Sequence, residues 1–488
     1  MVHFFCKIRS AAFAISVIII LTLATSCKKM LQINLPADKI TGETVYSNTN
    51  TTVAVLNGLY AKLVDYLGST SVRLAGVADD INAAPFLRTP FYKNAFDVND
   101  SGQSDQFWSF SYGSGIYTCN SVIEGVTASK NIPDASKSKL LAEARFARAL
   151  MYFYLVNLYG DVPLVTTTSL VTNSNIARSP VNTVYKQVIE DLTFAKENLP
   201  SNFVGTDLST VTAERVRPTT WAASSLLARV YLYKSEWKNA ELESSAVIQN
   251  SSLFDTVAVN DVFEKNSKET IWALQPNNNQ TPGETTSTYE GKAFLPLPGT
   301  NISGSQASTN LLTSFEQGDL RKQNWIKFFV DNSQSPAITY SFFYKYKNGS
   351  NDSQTSQPQT EYSIVFRIAE QYLIRSEARA RQHDLIGAKS DLDIIRRRAG
   401  LSGITISDDN TMLSNIMHER QVELFTENGH RWLDLKRTGK VDEVMSIQTK
   451  LKDGQWQPFA ALFAIPLLEF TLNPALKGHQ NPGYPEHI

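Results

Sequence analysis

The sequence predicts a mainly α protein, a scaffold of paired helices interrupted by a loop-rich part with small strands. Three observations predict it. Leu141 to Leu158 is an unbroken run of strong helix formers interleaved with aromatics. Val184, Val188, Leu192 and Ala195 recur at steps of four, four and three, which places them on one helix face. Residues 250–360 break the pattern, because they are rich in Asn, Ser, Thr, Gly and Pro.

The first element is a leader. Lys7 and Arg9 are basic, the apolar run Ala11 to Leu23 follows, and Ala24, Thr25 and Ser26 lead to Cys27. That run is too short to span a bilayer as a helix, for which about 20 residues are needed. The pattern is that of a secretory signal peptide over residues 1–26. A cysteine at the cleavage point resembles a bacterial lipobox, so Cys27 is expected to carry acyl chains that anchor the body to a membrane.

Residues 27–50 are polar and read as a tether. Val53 to Leu67 opens the helical signal, and residues 79–106 read as a long loop. Gly160-Asp161-Val162-Pro163 stops the helix before it, and Leu199-Pro200 stops the next. Ala228 and Ala240 are small residues twelve apart, and so are Ser376 and Ala388. This spacing across helix, turn and helix is that of tetratricopeptide-like pairs. Within 250–360, Thr270 to Leu274 and Tyr340 to Tyr344 read as short strands. The body therefore divides into an N-terminal helical part, 51–249, and a C-terminal part, 250–488, that carries the insertion 250–360.

Composition excludes several functions. The 488 residues carry 46 basic and 47 acidic side chains, a net charge of −1. Binding of nucleic acid through a broad basic surface is therefore not expected. Three cysteines without a CxxC pair give no disulfide framework.

Motifs for chemistry are mostly missing. His418-Glu419 is followed by Arg420-Gln421-Val422, so there is no HExxH. No GxSxG elbow and no Walker loop occurs. Asp97 to Gly102 looks like half an EF-hand loop, but its twelfth position is Trp108 rather than a chelating Glu. It reads as a polar turn, and no metal or other cofactor is expected. Asp79-Asp80 could be a catalytic carboxylate pair, although adjacent side chains point apart and Asp commonly caps helices. Glu419, Glu423 and Glu427 recur every four residues, on one face of a helix. With Arg420, Arg431 and Arg437 nearby, they read as an internal ion-pair lattice.

That last segment carries a resemblance. Glu419-Arg420, Glu423, Glu427 and Gly429 to Arg437 are similar to the C-terminal signature of the SusD/RagB family. Ala142 to Leu164, Ala222 to Ala240, Phe366 to Ala378, Arg396 to Leu401, Ile465-Pro466 and Asn481 to Tyr484 resemble its other elements, in order, along nearly the whole mature chain. The resemblance implies a helical fold of four tetratricopeptide-like pairs. It implies an outer-membrane lipoprotein, cell-surface facing, that captures oligosaccharides and delivers them to a SusC-like TonB-dependent transporter without catalysis. Some members bind peptides instead. Two other classes stay open: a secreted glycan-degrading enzyme, and a purely structural lid on the transporter.

A glycan site needs flat aromatic faces for the C–H side of a sugar ring, and fixed polar groups for its hydroxyls. Loops on a rigid scaffold supply both. Two segments fit. One is Phe86 to Phe96, with Arg88, Phe91, Tyr92, Asn94 and Phe96. The other is the loop with Tyr289, Glu290 and Phe294. Trp108, Trp272 and Trp325 read as core.

Overall fold

Helices form where the apolar spacing places them, and the stops at Gly160 and Leu199-Pro200 end two of them. The structure is a computed structural model that describes residues 42–96, 98, 105–276, 287–296, 300–349 and 359–486. The leader, Cys27 and most of the tether lie outside the described residues, as does the Asp97–Gly102 turn apart from Val98. Gly42–Val45 is a single helical turn, assigned to a unit of its own, Met1–Val45. The second unit is Tyr46–Ile488, and it is the one described below.

Eleven helices of eight or more residues occur among the described residues. They are α1 Thr49–Val77, α2 Tyr117–Ala128, α3 Asp134–Tyr159, α4 Val181–Asn198, α5 Thr220–Tyr233 and α6 Trp237–Ile248, then α7 Ile368–Arg381, α8 Leu385–Arg398, α9 Asp409–Leu424, α10 His430–Arg437 and α11 Val441–Leu451. From α2 to α8 each helix packs on the next in chain order. That array holds across the insertion, since α6 packs directly on α7.

The small residues twelve apart lie where helices meet. Ala228, Ala240 and Ala378 share one buried cluster with Leu232 and Ile374. Ser376 Oγ donates to the Ala388 carbonyl at 2.7 Å, which binds α7 to α8. α3 is the central helix, and every residue from Phe146 to Val156 is buried. A helix that is buried all round needs its charges neutralised. Arg148 does this by forking onto Asp191 of α4 at 2.8 Å through two nitrogens, and onto Asn120 Oδ1 of α2 at 2.7 Å.

Among the described residues, eight strands pair into four two-stranded antiparallel sheets. β1 Ile81–Ala83 pairs with β5 Ser305–Ala307, and β2 Val162–Pro163 with β3 Arg178–Ser179. β4 Thr270–Leu274 pairs with β8 Ser363–Arg367, and β6 Ile326–Asp331 with β7 Ile338–Phe343. A second apolar cluster, with Ile81, Tyr92, Phe294, Trp325, Phe343 and Phe425, lies under the loop-rich part. Trp108, Trp272 and Trp325 are buried core residues.

Three boundaries differ from expectation. α1 begins inside the expected tether and runs ten residues past Leu67. The expected loop 79–106 closes on a helix, Asp105–Phe110. Glu427 does not continue the face of Glu419 and Glu423, because α9 ends at Leu424 and the chain then turns through left-handed Thr426, Asn428 and Gly429. A Cβ on Gly429 would lie 2.3 Å from Leu74 Cδ1, so the turn presses glycine against α1.

The ion-pair lattice exists, with other partners. Glu419 binds Arg321 at 2.6 Å and Arg396 at 3.1 Å. Glu423 binds Arg367 at 2.5 Å, Arg321 at 3.0 Å and also Arg398. Glu427 binds Lys345 at 2.5 Å and Arg367 at 2.7 Å. Arg420 and Arg437 turn instead to Asp434, and Arg431 to Asp79. The insertion supplies Arg321 and Lys345, so the lattice fastens the loop-rich part to α9.

Candidate functional site

The C-terminal end of α1 launches the most exposed of the expected loops. Lys452 closes that end by donating to the carbonyls of Gly76 at 2.6 Å, Val77 at 3.0 Å and Ala78. Asp79 accepts two bonds from Arg431, at 2.6 and 2.7 Å, and one from Asn310 at 2.7 Å. Asp80 accepts from the Thr426 amide at 3.1 Å. Burial, with Asp79 alongside, pushes the Asp80 carboxyl up to about 7. Both carboxyls are buried and serve the turn. They do not face each other across an open cleft, as the carboxyls of a glycosidase do.

β1 follows and is held in register by β5, with Ile81 opposite Ala307 and Ala83 opposite Ser305. The Ala84 amide extends the pairing to Gly304 O at 2.8 Å. Pro85–Leu87 is then a single 3-10 turn, with proline at its start. This turn displays Phe86, which is 70% exposed, and Leu87 beside it. The turn lies close over Gly304, where a Cβ would sit 2.8 Å from Leu87 Cδ1. Arg88 comes next. Its Nε donates to Ala83 O at 3.0 Å, and its Nη1 to Asp453 Oδ2 at 2.7 Å. Exposed Asn82 stands on the same strand.

The remaining expected residues of this segment lie beneath the loop. Phe91 and Phe96 pack on each other and on Phe463, with ring centroids 4.7–5.3 Å apart. The Tyr92 hydroxyl accepts from the Ala83 amide at 3.1 Å and donates to Ile81 O at 3.2 Å. Its ring carries the Lys452 ammonium at 5.0 Å. Asn94 bridges Val77 O at 3.0 Å and Thr449 Oγ1 at 2.9 Å. All four are buried. The expectation that they present a ligand surface is corrected: they pin the loop to the body. The physical reason is area, since aromatic rings gain most where water is removed from both faces.

In the second expected segment Glu290 and Phe294 are buried as well. Tyr289–Phe294 is a short helix capped by Thr288, whose hydroxyl accepts from the Gly291 amide at 3.0 Å. Tyr289 is half-buried against α1 at Gly68, where an added Cβ would lie 2.3 Å from Tyr289 Cβ. Glu290 accepts from Ser363 Oγ at 2.9 Å, and burial pushes its carboxyl up to about 7. Phe294 packs edge-on to Phe343 at 5.1 Å.

Of the expected residues, Arg88 alone stays beside an exposed aromatic. Sequence reasoning named the segment but passed over Phe86. One signal was available: Pro85 opens a turn, and a turn directs the next side chain outward. The resulting surface combines an exposed ring, a fixed guanidinium with its carboxylate partner, and an amide. Such a set suits a neutral ligand with one apolar face and several hydroxyls.

A mainly helical scaffold carries this loop-built surface at one end of its longest helix. Comparison with known proteins gives the family. Residues 42–232 match the SusD-like model described as starch-binding associating with outer membrane, and residues 284–484 match the SusD family model. The chain belongs to the SusD/RagB family. A SusD-like protein of Bacteroides ovatus is 26% identical over 462 residues, covering 85% of this chain and 80% of its own. SusD-like protein P25 of Formosa agariphila is 25% identical over 415 residues, covering 74% and 76%. The fold is that of a SusD-like protein from Bacteroides fragilis, with TM-score 0.75, 22% identity, and coverage of 92% of this chain and 100% of that one. A laminarin-binding SusD-like protein superposes with TM-score 0.71 at 23% identity, covering 89% and 99%. No helix among the described residues is long and apolar enough to cross a membrane.

Proposed function

We propose that this protein is a non-catalytic, glycan-binding lipoprotein of the outer membrane. Cys27 carries the lipid, and the body faces the cell exterior. It captures an oligosaccharide and passes it to a SusC-like TonB-dependent transporter. The observation that carries the reading is Phe86, a large exposed ring on a turn fixed by the β1–β5 pair, next to Arg88 and Asn82. Family membership and the laminarin-binding neighbour support a glycan as its ligand.

A binding screen with product analysis tests this reading. The full chain is titrated by calorimetry with laminarin and other polysaccharides, and each sample is then checked for released sugars. Saturable binding without release is expected. Release of shorter sugars would make the protein an enzyme, and binding of peptides alone would move it to the peptide-binding members. A Cys27→Ala variant is expected to leave the membrane fraction and to lose acyl labelling. Retention of both would overturn the anchor.

A further inference from the structure

A cavity opens away from Phe86, beside the first half of α1. It measures about 600 Å³, within the roughly 300–1,000 Å³ of small-molecule sites. Tyr60 lines it, seventeen positions before Val77 on the same helix. At 1.5 Å per residue that places it roughly 25 Å from the end of α1 that launches the Phe86 turn. The two sites therefore share a helix but no residues.

The cavity is electrically quiet. Arg217 lies in its wall, and Glu143 matches it through two bonds, at 3.0 and 3.1 Å. The Tyr60 hydroxyl donates to the same carboxylate at 2.6 Å. Glu214, the other charge in the wall, is held by Lys265 at 2.7 Å and by the Tyr362 hydroxyl at 2.9 Å. Among the described residues, each charge in the wall has an opposite partner. Neutral polar groups also line it: the Asn57 amide, whose oxygen holds Arg217 at 2.8 Å, the Gln275 amide, whose nitrogen donates to Gln359 Oε1 at 2.8 Å, and the Thr206 hydroxyl. Val204, Val216 and Leu274 supply the apolar wall. A charged ligand would lose hydration here with no opposite charge to meet it. A flat neutral ligand, hydroxylated at its edges and apolar on one face, finds both partners.

We propose that this cavity is a second ligand site and that it takes a single neutral sugar ring. The Asn57 and Gln275 amides bond the hydroxyls, and the apolar wall covers the C–H face. The site goes beyond the Phe86 surface and does not depend on it.

Hydrogen exchange of the full chain with glucose, xylose or N-acetylglucosamine tests the proposal. At least one sugar is expected to slow exchange several-fold in peptides spanning 57–61 and 204–217. Thr206 is exposed, so Thr206→Trp fills the cavity without touching the core and is expected to abolish the effect. Asn57→Ala is expected to weaken it about tenfold, which corresponds to about 1.4 kcal/mol. Phe86→Ala is expected to leave it intact, which separates this site from the surface site. The proposal is overturned if no sugar protects these peptides, if triglycine protects them and sugars do not, if Thr206→Trp keeps the effect, or if Phe86→Ala removes it.

Discussion

Arg229 of α5 and Glu370 of α7 meet in a two-point fork, with Nε to Oε1 and Nη2 to Oε2 each at 2.7 Å. Both are buried, and the guanidinium lies 4.7 Å over the Phe366 ring. Burial favours loss of the charge, yet the facing Glu370 carboxylate holds Arg229 protonated above its usual range. The pair joins helices on either side of the insertion 250–360. Removing one partner strands a buried charge, which costs about 3–5 kcal/mol. Glu370→Leu is therefore expected to lower stability by about that much in urea unfolding of the full chain. The double variant Arg229→Met/Glu370→Leu is expected to recover most of it. Equal losses in the single and double variants would show that packing alone joins the helices here.

Phe86 and Phe91 lie five residues apart and have opposite roles. Phe86→Ala removes an exposed ring, so stability is expected to stay within about 0.5 kcal/mol of the parent. Its affinity for a bound oligosaccharide is expected to fall at least about tenfold, the scale of a binding hot spot. Phe91→Ala empties a packed aromatic site and is expected to cost about 3–5 kcal/mol of stability. Calorimetry and urea unfolding on both variants check this. Unchanged affinity in Phe86→Ala would remove the proposed surface.

Glu290 makes stability depend on pH. Its usual value is 4.5, and burial raises it to about 7 in the folded chain. Between these values the folded state holds a proton that the unfolded state has lost. The stability this gives is full below about 4.5 and gone above about 7. By linkage it amounts to roughly 3 kcal/mol. Glu290→Gln keeps an acceptor for Ser363 and cannot ionise. Relative to the parent, the variant is expected to gain stability as pH rises from 4.5 to 8. Unfolding midpoints at the two ends measure it, and a constant difference would mean that Glu290 is charged in the fold.

The fold was legible where local rules and packing agree. α3 and α4 followed from periodicity and from their stops at Gly160 and Leu199-Pro200. The pairs Ala228/Ala240 and Ser376/Ala388 announced close helix contacts, because only small side chains let backbones approach. The site was less legible. Phe86, Phe91 and Phe96 look alike in a polar loop, and what buries the last two is above all Phe463, far away in the chain. The ion-pair lattice was legible in its acidic half alone. Arg321, Arg367, Arg396 and Lys345 reach Glu419, Glu423 and Glu427 through the tertiary fold, whereas Arg420, Arg431 and Arg437 were merely near in sequence.

The small-residue contacts give the last prediction. Ala240 is fully buried between α5 and α7, with Ala228, Leu232, Ile374 and Ala378 around it. Ala240→Leu adds a branched side chain where there is no room, so α6 must move away from its neighbours. Overpacking of this kind costs about 1–3 kcal/mol. Leu242 lies two residues on and is exposed, so Leu242→Ala on the same helix is expected to stay within about 0.5 kcal/mol. Urea unfolding of both variants decides it. If Ala240→Leu unfolds with the parent's midpoint, the twelve-residue spacing does not mark a close approach, and the paired-helix reading of α5 to α8 loses its physical basis.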